Sequence, residues 1–237
     1  MSLYPTEQWL TAYGRALDGS AALDDLADGW GVGFNGDVLL AIEDVPLAET
    51  TIGELPDEVM ADLPEDIRAG VSDVTLAEAP TEFGGRLRTA LPASVQDLLH
   101  QIESKVHDGT IYAYVGLEAG DCTGTAVLET PGDREVGYVV HGPYETWRRI
   151  IDGRPAVSAV LSGDLGVTGN RLRLLRYASV LQLLGDIAAE VETTHLFPGG
   201  TAHPGEVVLD EAVRQPVILG RLAERQVSLA TKALSPF

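Results

Sequence analysis

Residues 142–184 read GPYETWRRIIDGRPAVSAVLSGDLGVTGNRLRLLRYASVLQLL, and this stretch decides the fold. Trp147, Ile150 and Ile151 mark a short helix that Asp152-Gly153 stops. Pro155 starts a second helix to about Ser162, and DLGVTG gives a short strand. From Arg171 the pattern predicts one long helix over 171–191. It is apolar at Leu172, Leu174, Leu175, Tyr177, Ala178, Val180, Leu181, Leu183, Leu184, Ile187 and Ala188. An ordinary surface helix is apolar over one stripe. This one leaves only a thin polar line through Arg171, Ser179, Gln182 and Asp186. One apolar face can pack on a sheet. The other needs a second partner: more of the same chain, another subunit, or an apolar ligand.

Upstream, residues 5–28 read as helix, with Trp9, Leu10, Tyr13 and Leu17 at helical spacings and a break at Gly19. Val38 to Ile42 is an apolar run that reads as a strand. Residues 46–91 are rich in Pro, Asp and Glu, and read as short helices in an acidic insertion that extends to about 108. Within it, PASVQDLLHQIESKVHDG is a well-formed helix, with Pro92 near its start and Gly109 after its end. The period then switches to two. Ile111, Ala113, Val115 and Leu117 alternate with Tyr112, Tyr114 and Gly116. Strand candidates Thr123 to Glu129 and Glu135 to His141 follow, giving an expected meander of three strands. A last helical candidate reads over about 216–234.

The chain has 237 residues, enough to bury a large core without a disulfide or metal staple, and its single Cys122 excludes an intramolecular disulfide. Thirty-six acidic residues oppose 16 basic ones, for a net charge of −20. Such a field disfavours nucleic acid and electrostatic docking to anionic membranes. Self-repulsion on this scale becomes tolerable when the screening length falls to ~3 Å near molar salt. Abundant carboxylates with only two lysines, Lys105 and Lys232, give a composition similar to that of halophilic archaeal proteins. The N-terminus MSLYPTEQWL has no basic and apolar signal-peptide pattern, and no apolar run approaches a membrane span, so a cytoplasmic protein without integral membrane association is expected.

Gly31-x-Gly33-x-x-Gly36 matches the glycine spacing of dinucleotide-binding folds. That fingerprint must follow a strand and open a helix, so that backbone N–H groups meet the pyrophosphate. Here a helical pattern comes before the glycines and a strand after Asn35-Gly36-Asp37. The glycines are expected to turn the chain, and no cofactor is expected.

With its Trp-bearing helical turn, the glycine after it, the short alanine-containing helix and Gly163-x-Leu165-x-Val167-x-Gly169, the 142–184 stretch resembles the core signature of the sterol carrier protein family. The N-terminal YPTEQWLTAYGRALDGS, Gly29-Trp30, GLEAGDC at 116–122 and VETTHLF at 191–197 are similar to a prokaryotic branch that includes haloarchaeal members. The resemblance implies a single α+β domain over residues 1–197, with 198–237 as a C-terminal extension, built on a five-stranded, mostly antiparallel sheet covered by helices on one face, with an apolar tunnel between. It implies non-catalytic binding, and transfer, of a lipid, fatty-acyl or isoprenoid compound. The liners it implies are Trp147, Ile150, Leu172, Leu175, Val180 and Leu184, with Val115, Val127 and Val139 from the strands.

Two other readings stand beside it. The over-apolar helix and acidic insertion would serve a protein-interaction module, a homodimer included. A metal-dependent hydrolase would draw on Asp121-Cys122, His141, His195 and His203, the last two flanking LFPGGTA. No HExxH, CxxC, GxSxG or P-loop pattern occurs, and neither a catalytic residue nor a metal ligand is expected.

Overall fold

In the computed structural model, which describes residues 2–61, 63–83 and 91–198, the chain opens with β1 (Ser2–Tyr4) and then α1 (Glu7–Asp18). Thr6 caps α1 by accepting a hydrogen bond from the Trp9 N–H, and Gly19 ends it. Ser20 caps α2 (Ala21–Leu26) in the same way through Leu23. The break expected at Gly19 therefore separates two helices. A loop carrying Gly31 and Gly33 in left-handed conformation leads into β2 (Val38–Glu43). Gly36 sits so close to the Leu117 carbonyl that a Cβ there would lie 2.5 Å from it, and Trp30 Nε1 donates to the Gly36 carbonyl. The order is helix, glycine loop, strand.

The acidic segment that follows carries a 3-10 turn (Ile52–Glu54) and short helices α3 (Asp57–Met60), α4 (Glu65–Val71) and α5 (Ala79–Glu82). Its apolar residues Ile52, Val59, Leu63, Leu76 and Phe83 join the main core, which makes it part of the domain. Then come α6 (Ala93–Lys105), β3 (Val106–His107), β4 (Thr110–Glu118), β5 (Asp121–Leu128) and β6 (Tyr138–Pro143). The chain continues through α7 (Tyr144–Ile151), α8 (Ala156–Ser162), β7 (Gly166–Thr168), α9 (Arg171–Arg176), α10 (Ala178–Glu190) and β8 (Thr193–His195). These elements belong to one compact unit ending at Pro198. The expected C-terminal helix over 216–234, and His203, lie outside the described residues.

The sheet departs from the expectation in two ways. It has six strands rather than five, because the two-residue β3 adds to the edge of β4. It is also not a meander. β4 and β5 pair, but β2 inserts between β4 and β6, antiparallel to the first and parallel to the second, and β7 closes the far edge. The physical reason lies in β2 itself. VLLAI is apolar on both alternating faces, as a central strand requires. β1 and β8 form a separate two-stranded parallel ribbon.

Register places Leu40 opposite Ala113, Ile42 opposite Ile111, and Ala113 opposite Val127 on one face. Helices cover that face: α1 packs on β5, α7 on β2 and β6, and α10 on α1, α2, α7 and α8. The opposite face holds a smaller apolar cluster of Leu39, Tyr114 and Leu128, with Tyr112, Val136 and Val139 packed around it. Val139 pairs with Leu39, so it points away from the helices. Its assignment as an inward liner was one residue out of phase.

The helix expected over 171–191 is also corrected. It breaks at Tyr177, whose φ of −108° and ψ of 33° leave the helical region. The Tyr177 hydroxyl donates to the Gly29 carbonyl at 3.1 Å and ties the break to the glycine loop. Two helices of different orientation result, and only Leu174 of α9 is buried.

Candidate functional site

Between the covered sheet face and the helices lies a cavity of about 50 Å³. Its floor is Leu40, Ile42, Ile111, Ala113 and Val127, which follow from the strand register. Its roof is α10, through Leu181, Leu184, Gly185 and Ala188. Trp9, Leu10 and Tyr13 of α1 form one wall, and Trp147, Ile150 and Ile151 of α7 the other. Tyr4, Pro5 and Thr6 contribute where β1 meets α1.

The aromatic walls present hydrocarbon to this space because their polar tips are committed elsewhere. Trp9 Nε1 donates to Thr193 Oγ1 at 2.7 Å, and the Tyr13 hydroxyl to the Leu184 carbonyl at 2.9 Å. Trp147 Nε1 donates to the carbonyls of Ala41 at 3.2 Å and Gly142 at 3.1 Å. The Thr6 hydroxyl turns back to the Leu3 carbonyl at 2.5 Å. Burial pushes the Tyr13 phenol far above its ordinary range, so it stays neutral. A cavity lined in this way excludes water and accepts apolar matter.

Small residues set its height. A Cβ on Gly185 would come within 2.8 Å of the Ala156 Cβ and 3.3 Å of Ile150 Cγ2, so α10 rides close over α7 and α8. Ala113 and Ala188 leave space that larger side chains would fill. The closed volume is about a third of an engineered ~150 Å³ cavity that takes up benzene. A longer chain therefore needs the helices to part.

Of the residues singled out in sequence, Trp147, Ile150, Leu184 and Val127 line this cavity together. Val115 and Val180 are fully buried core residues outside it. Val139 is on the other sheet face. Leu172 and Leu175 lie outside this cavity. They are 82% and 62% exposed, because the break at Tyr177 swings α9 out of the line of α10. The sequence reading missed α1 as a wall and Ala113, Gly185 and Ala188 as the residues that make room. The Trp9, Leu10, Tyr13 stripe carried a signal for the first. Nothing local marks a small residue as a space-maker.

The chemistry-bearing residues are dispersed. His195 Nε2 lies 3.0 Å from Asp152 Oδ1, and His141 Nδ1 lies 3.2 Å from Glu43 Oε1. Burial raises the Cys122 thiol above its usual value, which keeps it protonated at neutral pH. Among the described residues, no group of three or more His, Cys, Asp or Glu could hold a metal ion, and no helix is long and apolar enough to cross a membrane.

No family model and no curated protein matches this sequence. Two solved structures are similar to it. One is a conserved hypothetical protein of Thermus thermophilus, described as a candidate sterol carrier protein. It shares 20% identity and a TM-score of 0.47, over 80% of this chain and 90% of that one. The other is sterol carrier protein 2, with 21% identity and a TM-score of 0.46 over 78% and 97%. Likeness of this degree assigns no ligand, and the functional reading rests on the cavity.

Proposed function

We propose that this chain is a non-catalytic binding protein for one hydrocarbon chain of a lipid, acyl or isoprenoid compound, held between the sheet and α10. The observation that supports it most directly is an apolar cavity along which Trp9, Tyr13, Trp147 and Thr6 have their side-chain polar atoms satisfied outside it. Such a site recognises length and width rather than a head group.

Burying each CH₂ is worth ~0.8 kcal/mol, so eight of them supply ~6 kcal/mol. That corresponds to a dissociation constant on the order of tens of micromolar before the cost of parting the helices is subtracted. Tight binding needs a longer chain or an already open form. The liners carry the burial, and Gly185 sets how closely α10 lies over α7 and α8. No covalent step is involved, and transfer is simply release of the chain to another apolar phase. Organic extraction of the protein purified in molar salt, followed by mass spectrometry, tests the reading. A stoichiometric chain-bearing molecule is the expected result. An empty extract, with failure to take up any acyl or isoprenoid probe, overturns it.

A further inference from the structure

We propose that α9 and the 29–34 loop form a docking surface for an anionic phospholipid bilayer, independently of what the internal cavity holds. An open groove runs between them, bordered by Val32, Phe34, Leu172, Arg173, Arg176 and Tyr177. Of the residues lining it, Leu172 and Val32 are 82% and 60% exposed and Arg176 is exposed; Leu175, 62% exposed, and exposed Arg171 lie on the same short helix. Large apolar side chains grouped at a surface mark an interaction site.

The charge pattern names the partner. The chain carries 36 Asp and Glu residues, yet residues 29–36 and 165–185 contain none. Those two stretches carry Arg171, Arg173 and Arg176, with exposed Asp28 and Glu118 at the base of the loop; Arg173 is held over the Phe34 ring at 4.1 Å and Arg176 over Tyr177 at 5.9 Å. A helix that interleaves exposed arginine with exposed leucine fits a surface offering phosphate and hydrocarbon at once. A bilayer with anionic head groups does so. A second copy does not, since twofold pairing would set these arginines against themselves.

The net charge of −20 opposes approach to such a membrane. At physiological salt, however, exposed charges more than ~8 Å apart are largely screened. Carboxylates on distant faces then contribute little once α9 is the element in contact, and arginine and leucine supply the two signals that stable attachment needs.

The test is co-sedimentation of the full chain, at 0.15 M salt, with vesicles of phosphatidylcholine alone or mixed equally with phosphatidylglycerol. The chain should bind the mixed vesicles at least tenfold better. Leu172→Ser with Leu175→Ser, and separately Arg171→Gln with Arg176→Gln, should each reduce that binding at least tenfold. Circular dichroism should stay unchanged, because all four side chains are exposed. Three outcomes overturn the proposal: no binding to mixed vesicles, equal binding to both compositions, or binding unaffected in both double variants. A leucine variant that turns a dimer into a monomer, in a chain that never binds vesicles, would also overturn it and assign the surface to self-association.

Discussion

Residues 171–176 and 178–190 are separated by one tyrosine, hold three leucines each, and lie in opposite surroundings. In α10, Val180, Leu181, Leu184 and Ile187 are buried against the cavity or the core. In α9, Leu172 and Leu175 stand in solvent. One residue makes the difference. Tyr177 leaves the helical region and anchors its hydroxyl on Gly29, so the two segments no longer share a face. Apolar content says that a segment needs a partner, and helix direction says which one.

Substitutions at matched positions sharpen this contrast. The largest stability effect is expected for Leu184→Ala, which removes a side chain that is 7% exposed and enlarges the existing cavity. Urea denaturation should give a loss of ~2–5 kcal/mol. Trp147→Phe leaves the Ala41 and Gly142 carbonyls without their shared donor, at a cost of ~1–3 kcal/mol in the same assay. Tyr177→Phe removes one hydrogen bond to a backbone carbonyl and should cost ~1 kcal/mol. It should also raise amide exchange at the α9–α10 break. Leu175→Ser should stay within ~0.5 kcal/mol of the parent. A loss at Leu175 as large as that at Leu184 would break the comparison and return α9 to the core.

The helices at 7–18 and 93–105 and the strand at 110–118 were legible from their periods, and the strand at 38–43 from its continuous apolar run, which together give the α+β class. Trp147, Ile150, Leu184 and Val127, which the family resemblance pointed to, also border the cavity. The strand order was not legible. Pairing β2 between β4 and β6 is a long-range choice, which adjacent runs of alternation do not encode. The break at Tyr177 was hidden because it contains no Gly or Pro; a hydrogen bond to a residue 148 positions earlier holds it. Val139 was misplaced by the meander, since phase on a strand depends on its neighbour. The space-making residues Ala113, Gly185 and Ala188 became visible only when their neighbours were in place.

The central claim is that the cavity takes up a hydrocarbon chain, and Trp9 and Trp147 in its walls offer the direct readout. Energy transfer from tryptophan to a fluorescent polyene fatty acid should be measured in the parent and in Ala113→Leu, a variant that fills the floor. The account predicts saturable transfer in the parent and at least a tenfold loss in a variant that is folded and no less stable. Equal uptake by the filled variant, or no uptake by either, would contradict it.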